Sequence, residues 1–198
     1  MKLRPTKLSA LWIAEAQPIA DPRGAFARWF CTRELAEVIG SRRIVQINHS
    51  RTHRVGVVRG MHFQYPPHAE MKLVRCIRGR VWDVAVDLRQ GSSTFLQWHA
   101  EELTPESGRM MVIPEGFAHG FQVLDEDSEL LYLHTAFYAP EHEGGVRFDD
   151  PAIGIAWPLD VTDVSDRDRA HPLLDVDFEG LRAHSRIVAS YDAIWRRC

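Results

Sequence analysis

The stretch "KLVRCIRGRVWDVAVDLR", Lys72 to Arg89, decides the fold class. Leu73 to Ile77 reads as one strand, Gly79-Arg80 as a tight turn, and Val81 to Leu88 as a second strand. In the second strand Val81, Asp83, Ala85 and Asp87 alternate with Trp82, Val84, Val86 and Leu88. A period of two is the signature of a half-buried strand. Moving outward, "TFLQWHAEELT" (Thr94 to Thr104), "RMMVIPEGFAHGFQVLD" (Arg109 to Asp125) and "SELLYLHTAFY" (Ser128 to Tyr138) repeat the pattern with turns between them. Prolines and glycines punctuate short segments from residue 20 to 160. The pattern predicts an all-β, antiparallel jelly roll or barrel with short peripheral helices. Helix is expected in "CTRELAEVIGS", Cys31 to Ser41, from a threonine cap, an early glutamate, Leu35 and Ile39 four apart, and a closing glycine. The tail, with Leu181, Ile187, Val188, Tyr191, Ile194 and Trp195 near helical spacing, is expected to form a C-terminal helical arm.

The chain has 198 residues, room for one domain with a full core. Its net charge of -3 supplies no overall drive toward nucleic acid or a membrane surface. No apolar run is long enough to span a bilayer, and the first sixteen residues are too polar for a signal peptide. A cytoplasmic location is expected. Cys31, Cys76 and Cys198 are widely spaced and lack a CxxC pattern, so they read as reduced thiols.

Functional residue types concentrate in "RGMHFQ" (Arg59 to Gln64), "IPEGFAHGF" (Ile113 to Phe121) and "LLYLHTAFYAP" (Leu130 to Pro140). Pro114, Gly116 and His119 match the second motif of cupin barrels. Where the first cupin motif places His-x-His, this chain has His62-Phe63-Gln64, so the convergent ligands of a metal site are missing at the expected spacing. Without a metal, His62 suits an acid or base near neutral pH. Lys72, inward on a strand, suits a developing oxyanion, and Tyr132 or Tyr138 suits proton delivery. Base, cation and phenol together point to proton abstraction beside a carbonyl. Singly, each residue also fits a structural role: a hydrogen-bonded core histidine, an edge lysine, a packed aromatic face.

Together, "DPRGAFARWF", "RGMHFQYPPHAEMKLVRCIRGRVWDVAVDLRQGSSTF", "IPEGFAHGFQVL" and "LYLHTAFYAPEHEGGVRFDDPAIGIAWP" resemble the dTDP-4-dehydrorhamnose 3,5-epimerase family. The resemblance runs from about residue 7 to 176 in family order. It implies a cupin-type jelly roll over residues 1–176, with residues 177–198 as an arm outside it. It also implies a homodimer, no metal or organic cofactor, and epimerisation of a nucleotide-linked 4-keto-6-deoxy sugar at C3, C5 or both. By motif match the base is His62, the enolate-stabilising lysine is Lys72 and the acid is Tyr132. The carboxylate that orients the base is then Asp168 of "SDRDRAHPLL". The resemblance further assigns phosphate contacts to Arg59 and His119, and nucleotide contacts to Arg23 and Phe26, often from a partner subunit. It assigns the polar nucleotide end to Gln46 and Asn48, and the sugar–diphosphate region to Tyr138. Arg28 and Leu133 depart from the family pattern, which commonly has an acidic residue and a lysine there.

Overall fold

The computed structural model describes residues 1–182. Thirteen strands run in chain order: β1 Lys2–Pro5, β2 Trp12–Glu15, β3 Ile19–Asp21, β4 Gly24–Phe26, β5 Gln46–Thr52, β6 Val58–Gln64, β7 Lys72–Arg78, β8 Val81–Asp87, β9 Trp98–Leu103, β10 Arg109–Ile113, β11 Phe117–Val123, β12 Ser128–His134 and β13 Glu143–Gly145. Two short helices, α1 Ala36–Ile39 and α2 Asp166–Arg169, lie outside them. A six-stranded sheet has the order β1-β2-β10-β7-β12-β5, and a five-stranded sheet the order β13-β6-β11-β8-β9. Every pairing between these strands is antiparallel. The fold is the cupin-type jelly roll expected from the sequence.

Strands β7 and β8, on either side of Gly79-Arg80, do not pair with each other. β7 lies between β10 and β12, and β8 between β11 and β9. The turn therefore carries the chain from one sheet to the other. Gly79 takes φ +72°, and a Cβ there would stand 2.4 Å from Ser128 Oγ. The tightness of this corner requires glycine.

The inner faces of the two sheets meet around Ile13, Val74, Cys76, Val81, Ala85, Met111, Ile113, Phe117, Phe121, Val123 and Leu130. The alternation in β8 was expected to leave one face in water, yet both are buried, and Asp83 and Asp87 are 0% exposed. The second face, with Val84, Val86 and Leu88, is covered by Val146, Ile153, Trp157, Leu174, Phe178 and Leu181. The chain after the last strand returns across the barrel, which strand periodicity cannot report. Leu181 N–H donates to Leu88 O at 2.6 Å, and Leu181 O accepts from Gln90 N–H at 2.9 Å. The helix expected farther along the arm falls outside the described residues.

On the opposite flank, Leu35 and Ile39 cover the outer face of the six-stranded sheet against Ala14, Leu73, Met110, Val112 and Leu133. Each such buried side chain is worth about 2 kcal/mol. The helix is shorter than the expected Cys31–Ser41. Leu35 occupies the N-cap position without a side-chain cap bond, and the residues before it form turns. Gly40 closes it at φ +58°, as expected. Leu133 is thus an outward packing residue, and Arg28 pairs with Glu34 at the surface. Cys31 and Cys76 are free thiols.

Candidate active site

The interior of the barrel changes character along its strands. Inward positions on β7 run Lys72, Val74, Cys76, and those on β12 run His134, Tyr132, Leu130, paired in that order across the ladder. One end is closed by apolar side chains. The other opens as a cavity of about 200 Å³ lined by polar groups including Arg59, His62, Lys72, His119, Tyr132 and Tyr138.

Arg59 and His62 are three residues apart, so a regular strand would point them to opposite faces. The register with β11 shifts between His119 and Phe121: His62 pairs with His119, and Arg59 with Phe121. This β-bulge turns both side chains into the same cavity. It is built on two glycines. A Cβ on Gly60 (φ +129°) would lie 2.6 Å from Gly120 Cα, and one on Gly120 would lie 2.7 Å from Arg59 O. Gly60 N–H is thereby free to donate to Asp168 Oδ2 at 3.0 Å.

Asp168 comes from the far end of the described chain. Ser165 caps α2 by accepting from Asp168 N–H at 3.1 Å, which fixes where the helix starts. The carboxylate is then 4% exposed, with Oδ1 2.8 Å from His62 Nε2. Burial by itself raises an acid's pKa. Here the His62 bond, the His62 charge and the Gly60 N–H outweigh it, and Asp168 is held below the usual carboxylate range. An acceptor-only carboxylate holds Nε2 as N–H and leaves the lone pair on Nδ1 for use as a base. His171 packs edge-on to His62 at 5.9 Å, and burial lowers its own pKa.

Lys72 Nζ donates to the backbone carbonyl of His62 at 3.1 Å and lies 3.3 Å from Glu70 Oε1. The cation is therefore tied to the strand that carries His62. Across the cavity, Tyr132 Oη is 3.1 Å from Ser50 Oγ. Burial, aided by the charge of Asp83, raises the phenol's pKa above its ordinary value against the opposing pull of Ser50 and Arg59. It is a protonated donor at neutral pH. His119 Nε2 is 2.8 Å from Asp83 Oδ1, a second buried histidine–carboxylate pair, and its ring meets Tyr132 edge-on at 6.0 Å. Arg59 has no side-chain hydrogen bond or ion pair among the described residues, and it reaches solvent at the mouth.

The other expected residues lie at the rim or beyond it. Gln46 Oε1 accepts from Tyr138 N–H at 3.1 Å, and Gln46 Nε2 donates to Asn48 Oδ1 at 3.1 Å. Tyr138 Oη donates to Glu143 Oε2 at 2.7 Å. Arg23 and Phe26 sit on the β3–β4 hairpin. Arg23 pairs with Asp21, Phe26 is 71% exposed, and neither lines this chain's own cavity. Gln64, Glu70, His134 and Glu143 line the cavity without having been expected there. For His134 a signal existed, since it lies two residues beyond Tyr132 on the same strand face. Glu70 precedes its strand and gave no periodic signal.

His62, Asp168 and His171 bring ligand-type atoms within 4.8 Å of one another, as do His68, Glu141 and His142 nearby. In the first group both Asp168 oxygens are already engaged by His62 and Gly60.

Fold and site together define a barrel enzyme of the proton-transfer class: an oriented imidazole, a fixed ammonium and a protonated phenol around one cavity. The sequence matches the model of the dTDP-4-dehydrorhamnose 3,5-epimerase family over residues 5–175, and the chain belongs to that family. It is 49% identical over 157 residues to a dTDP-4-dehydrorhamnose 3,5-epimerase of Pseudomonas aeruginosa, covering 78% of this chain and 86% of the relative. The solved dTDP-6-deoxy-D-glucose-3,5-epimerase of Legionella pneumophila, in complex with dTDP-4-keto-L-rhamnose, superposes with a TM-score of 0.84. It is 38% identical, over 93% of this chain and 99% of that one. A 3'-monoepimerase of Streptomyces bikiniensis, in complex with dTDP-quinovose, is also similar. It has a TM-score of 0.78 and 34% identity, over 85% of both chains.

Proposed function

We propose that this protein epimerises a dTDP-linked 4-keto-6-deoxy sugar through an enolate, without help from a cofactor. The observation that carries the reading is the linkage of base and cation: His62 is oriented by Asp168 at 2.8 Å, and Lys72 is bound to His62's own carbonyl at 3.1 Å. The 4-ketone acidifies the protons on its neighbouring carbons. His62 Nδ1 takes one of them. The C–H electrons form the enolate double bond, the carbonyl electrons move to oxygen, and Lys72 holds that oxyanion. Tyr132 returns a proton to the opposite face, inverting the centre, and solvent restores both groups. Arg59 and His119 meet the diphosphate, Gln46 and Asn48 border the nucleotide end, and Tyr138 borders the sugar and diphosphate.

A homodimer supports this arrangement. Ile19 is 74% exposed, Phe26 71% and Ile47, on the sheet-edge strand β5, 62%. Pairing two copies along that edge covers these side chains and carries Arg23 and Phe26 toward the partner's cavity. Sedimentation giving a monomer at working concentration is the result that removes this part of the reading. No helix of the described residues is long and apolar enough to cross a membrane, and we place the activity in the cytoplasm.

The test is proton NMR of dTDP-4-keto-6-deoxyglucose with the protein in deuterated water. Deuterium at C3 and C5 is the expected result. Deuterium at one carbon makes this a single-centre epimerase, the activity named for the Streptomyces bikiniensis relative. No exchange at either carbon overturns the proposal.

A further inference from the structure

Glu70 is a buried carboxylate that the proton transfers do not use. Its side chain is 7% exposed and stands just ahead of β7. Oε1 lies 3.3 Å from Lys72 Nζ, and Oε2 lies 2.7 Å from His134 Nδ1. His134 faces Lys72 directly across the β7–β12 ladder. Its other ring nitrogen, Nε2, is buried with no hydrogen-bond partner among the described residues. An acceptor-only carboxylate requires the hydrogen on Nδ1. The imidazole thus holds Glu70 by its shorter contact; among the described residues no hydrogen bond reaches the ring's far nitrogen, and its face stacks on Tyr132 at 6.1 Å between centroids.

An ammonium has three N–H donors. One of Lys72's goes to His62 O at 3.1 Å, a second faces Glu70, and the third remains for the cavity. The contact with Glu70 is longer than the 2.7–2.9 Å of a tight charge-assisted bond. A carboxylate closed fully on this ammonium inside a low-dielectric cavity would compensate its charge and compete with any incoming oxyanion. Glu70 stays ionised. Burial opposes this, but the His134 bond and the charges of Lys72 and His134 hold its pKa below the usual range.

We infer that His134 is a positioning residue for Lys72: by engaging Glu70 it keeps that carboxylate from closing on the ammonium, so Lys72 stays aligned with charge available to an enolate oxygen. The inference rests on the role given to Lys72 in the proposed epimerisation. The remaining titratable groups lining the cavity are Arg59, His62, His119, Tyr132, Tyr138 and Glu143. None of them hydrogen-bonds Glu70 or the His134 ring among the described residues.

The chain has only three lysines, Lys2, Lys7 and Lys72, so the Lys72 pKa can be followed in full-length protein labelled with 13Cε-lysine. This readout needs no substrate. His134→Ala is expected to raise the Lys72 pKa by about one unit and to lower kcat about tenfold with KM within about twofold. Glu70→Gln, an isosteric change, is expected to lower the Lys72 pKa. His134→Asn, which retains an N–H donor, is expected to stay near wild type, and His134→Ala is expected to have no further effect on Lys72 in a Glu70→Gln background. A Lys72 titration unchanged by Glu70→Gln overturns the inference even if His134→Ala fails to fold. Additive shifts in the double variant overturn it too. Wild-type protein that exchanges no substrate proton, while the Lys72 shifts occur as described, refutes the epimerase reading and leaves the control of Lys72 by His134 in place.

Discussion

The two ends of the β7–β12 ladder make the most informative comparison in the molecule. At one end Cys76 faces Leu130; at the other Lys72 faces His134, with Val74 and Tyr132 between. The strands, the register and the antiparallel pairing are shared. At the Cys76 end the buried thiol has no charged partner among the described residues: its pKa is pushed up to about 12, chiefly by desolvation, and its S–H donates to Arg78 O at 3.0 Å. At the Lys72 end the ammonium has a carboxylate and a carbonyl beside it, the Glu70 carboxylate has Lys72 and His134, and the interior holds a cavity rather than a plug. The same scaffold therefore supplies an apolar plug at one end and, at the other, the polar cavity proposed to carry the reaction. What separates them is whether polar partners arrive from outside the ladder, as Glu70 and Asp168 do.

Substitutions should divide along the same line. The largest loss is expected from His62→Asn, which removes the proposed base but keeps a donor for the buried Asp168: deuterium exchange into substrate should fall by about a thousandfold, with the melting temperature nearly unchanged. Survival of near-normal exchange would take the base role away from His62. Lys72→Met should cost about a hundredfold in kcat, since it deletes the oxyanion's cation; a pure rise in KM would instead make Lys72 a ground-state binding group. Tyr132→Phe should separate the two halves of the reaction, abolishing inverted product in a chromatographic assay while exchange at the abstracted position persists. At the apolar end, Leu130→Ala should cost about 2–5 kcal/mol in denaturant unfolding and leave kcat per folded molecule unchanged. Altered turnover there would mean that the two ends are not separable.

The smallest effect should be the acid dependence of stability. Asp168 has a depressed pKa in the folded state. The stability it contributes is therefore present above the unfolded value of about 3.9 and is lost as pH falls through the lower folded value. Asp168→Asn should destabilise the protein at neutral pH, and the gap to wild type should close as both are titrated toward about pH 2. A gap that stays constant with pH would trace the effect to lost packing.

Much of this was written locally. Strand alternation follows from period-two geometry, because adjacent side chains on a strand must point to opposite faces; the turn at Gly79-Arg80 and the Pro114-x-Gly116-x-x-His119 motif were legible in residue type, and family resemblance pointed His62 and Lys72 into the barrel. Kinship with a known family added Asp168 as the carboxylate beside His62, a pairing no spacing argument reaches across 106 residues of chain. Other features depended on tertiary structure. Arg59 joins His62 in one cavity only through the bulge at Gly60 and Gly120, and a bulge is a property of two paired strands rather than of either alone. Both faces of β8 are buried because residues 146–181 fold back over it. Glu70 meets both Lys72 and His134 because β12 lies beside β7. Local sequence sets which way a side chain points from its own backbone; which side chains then share a cavity is decided by strand pairing and by the chain that returns to cover it.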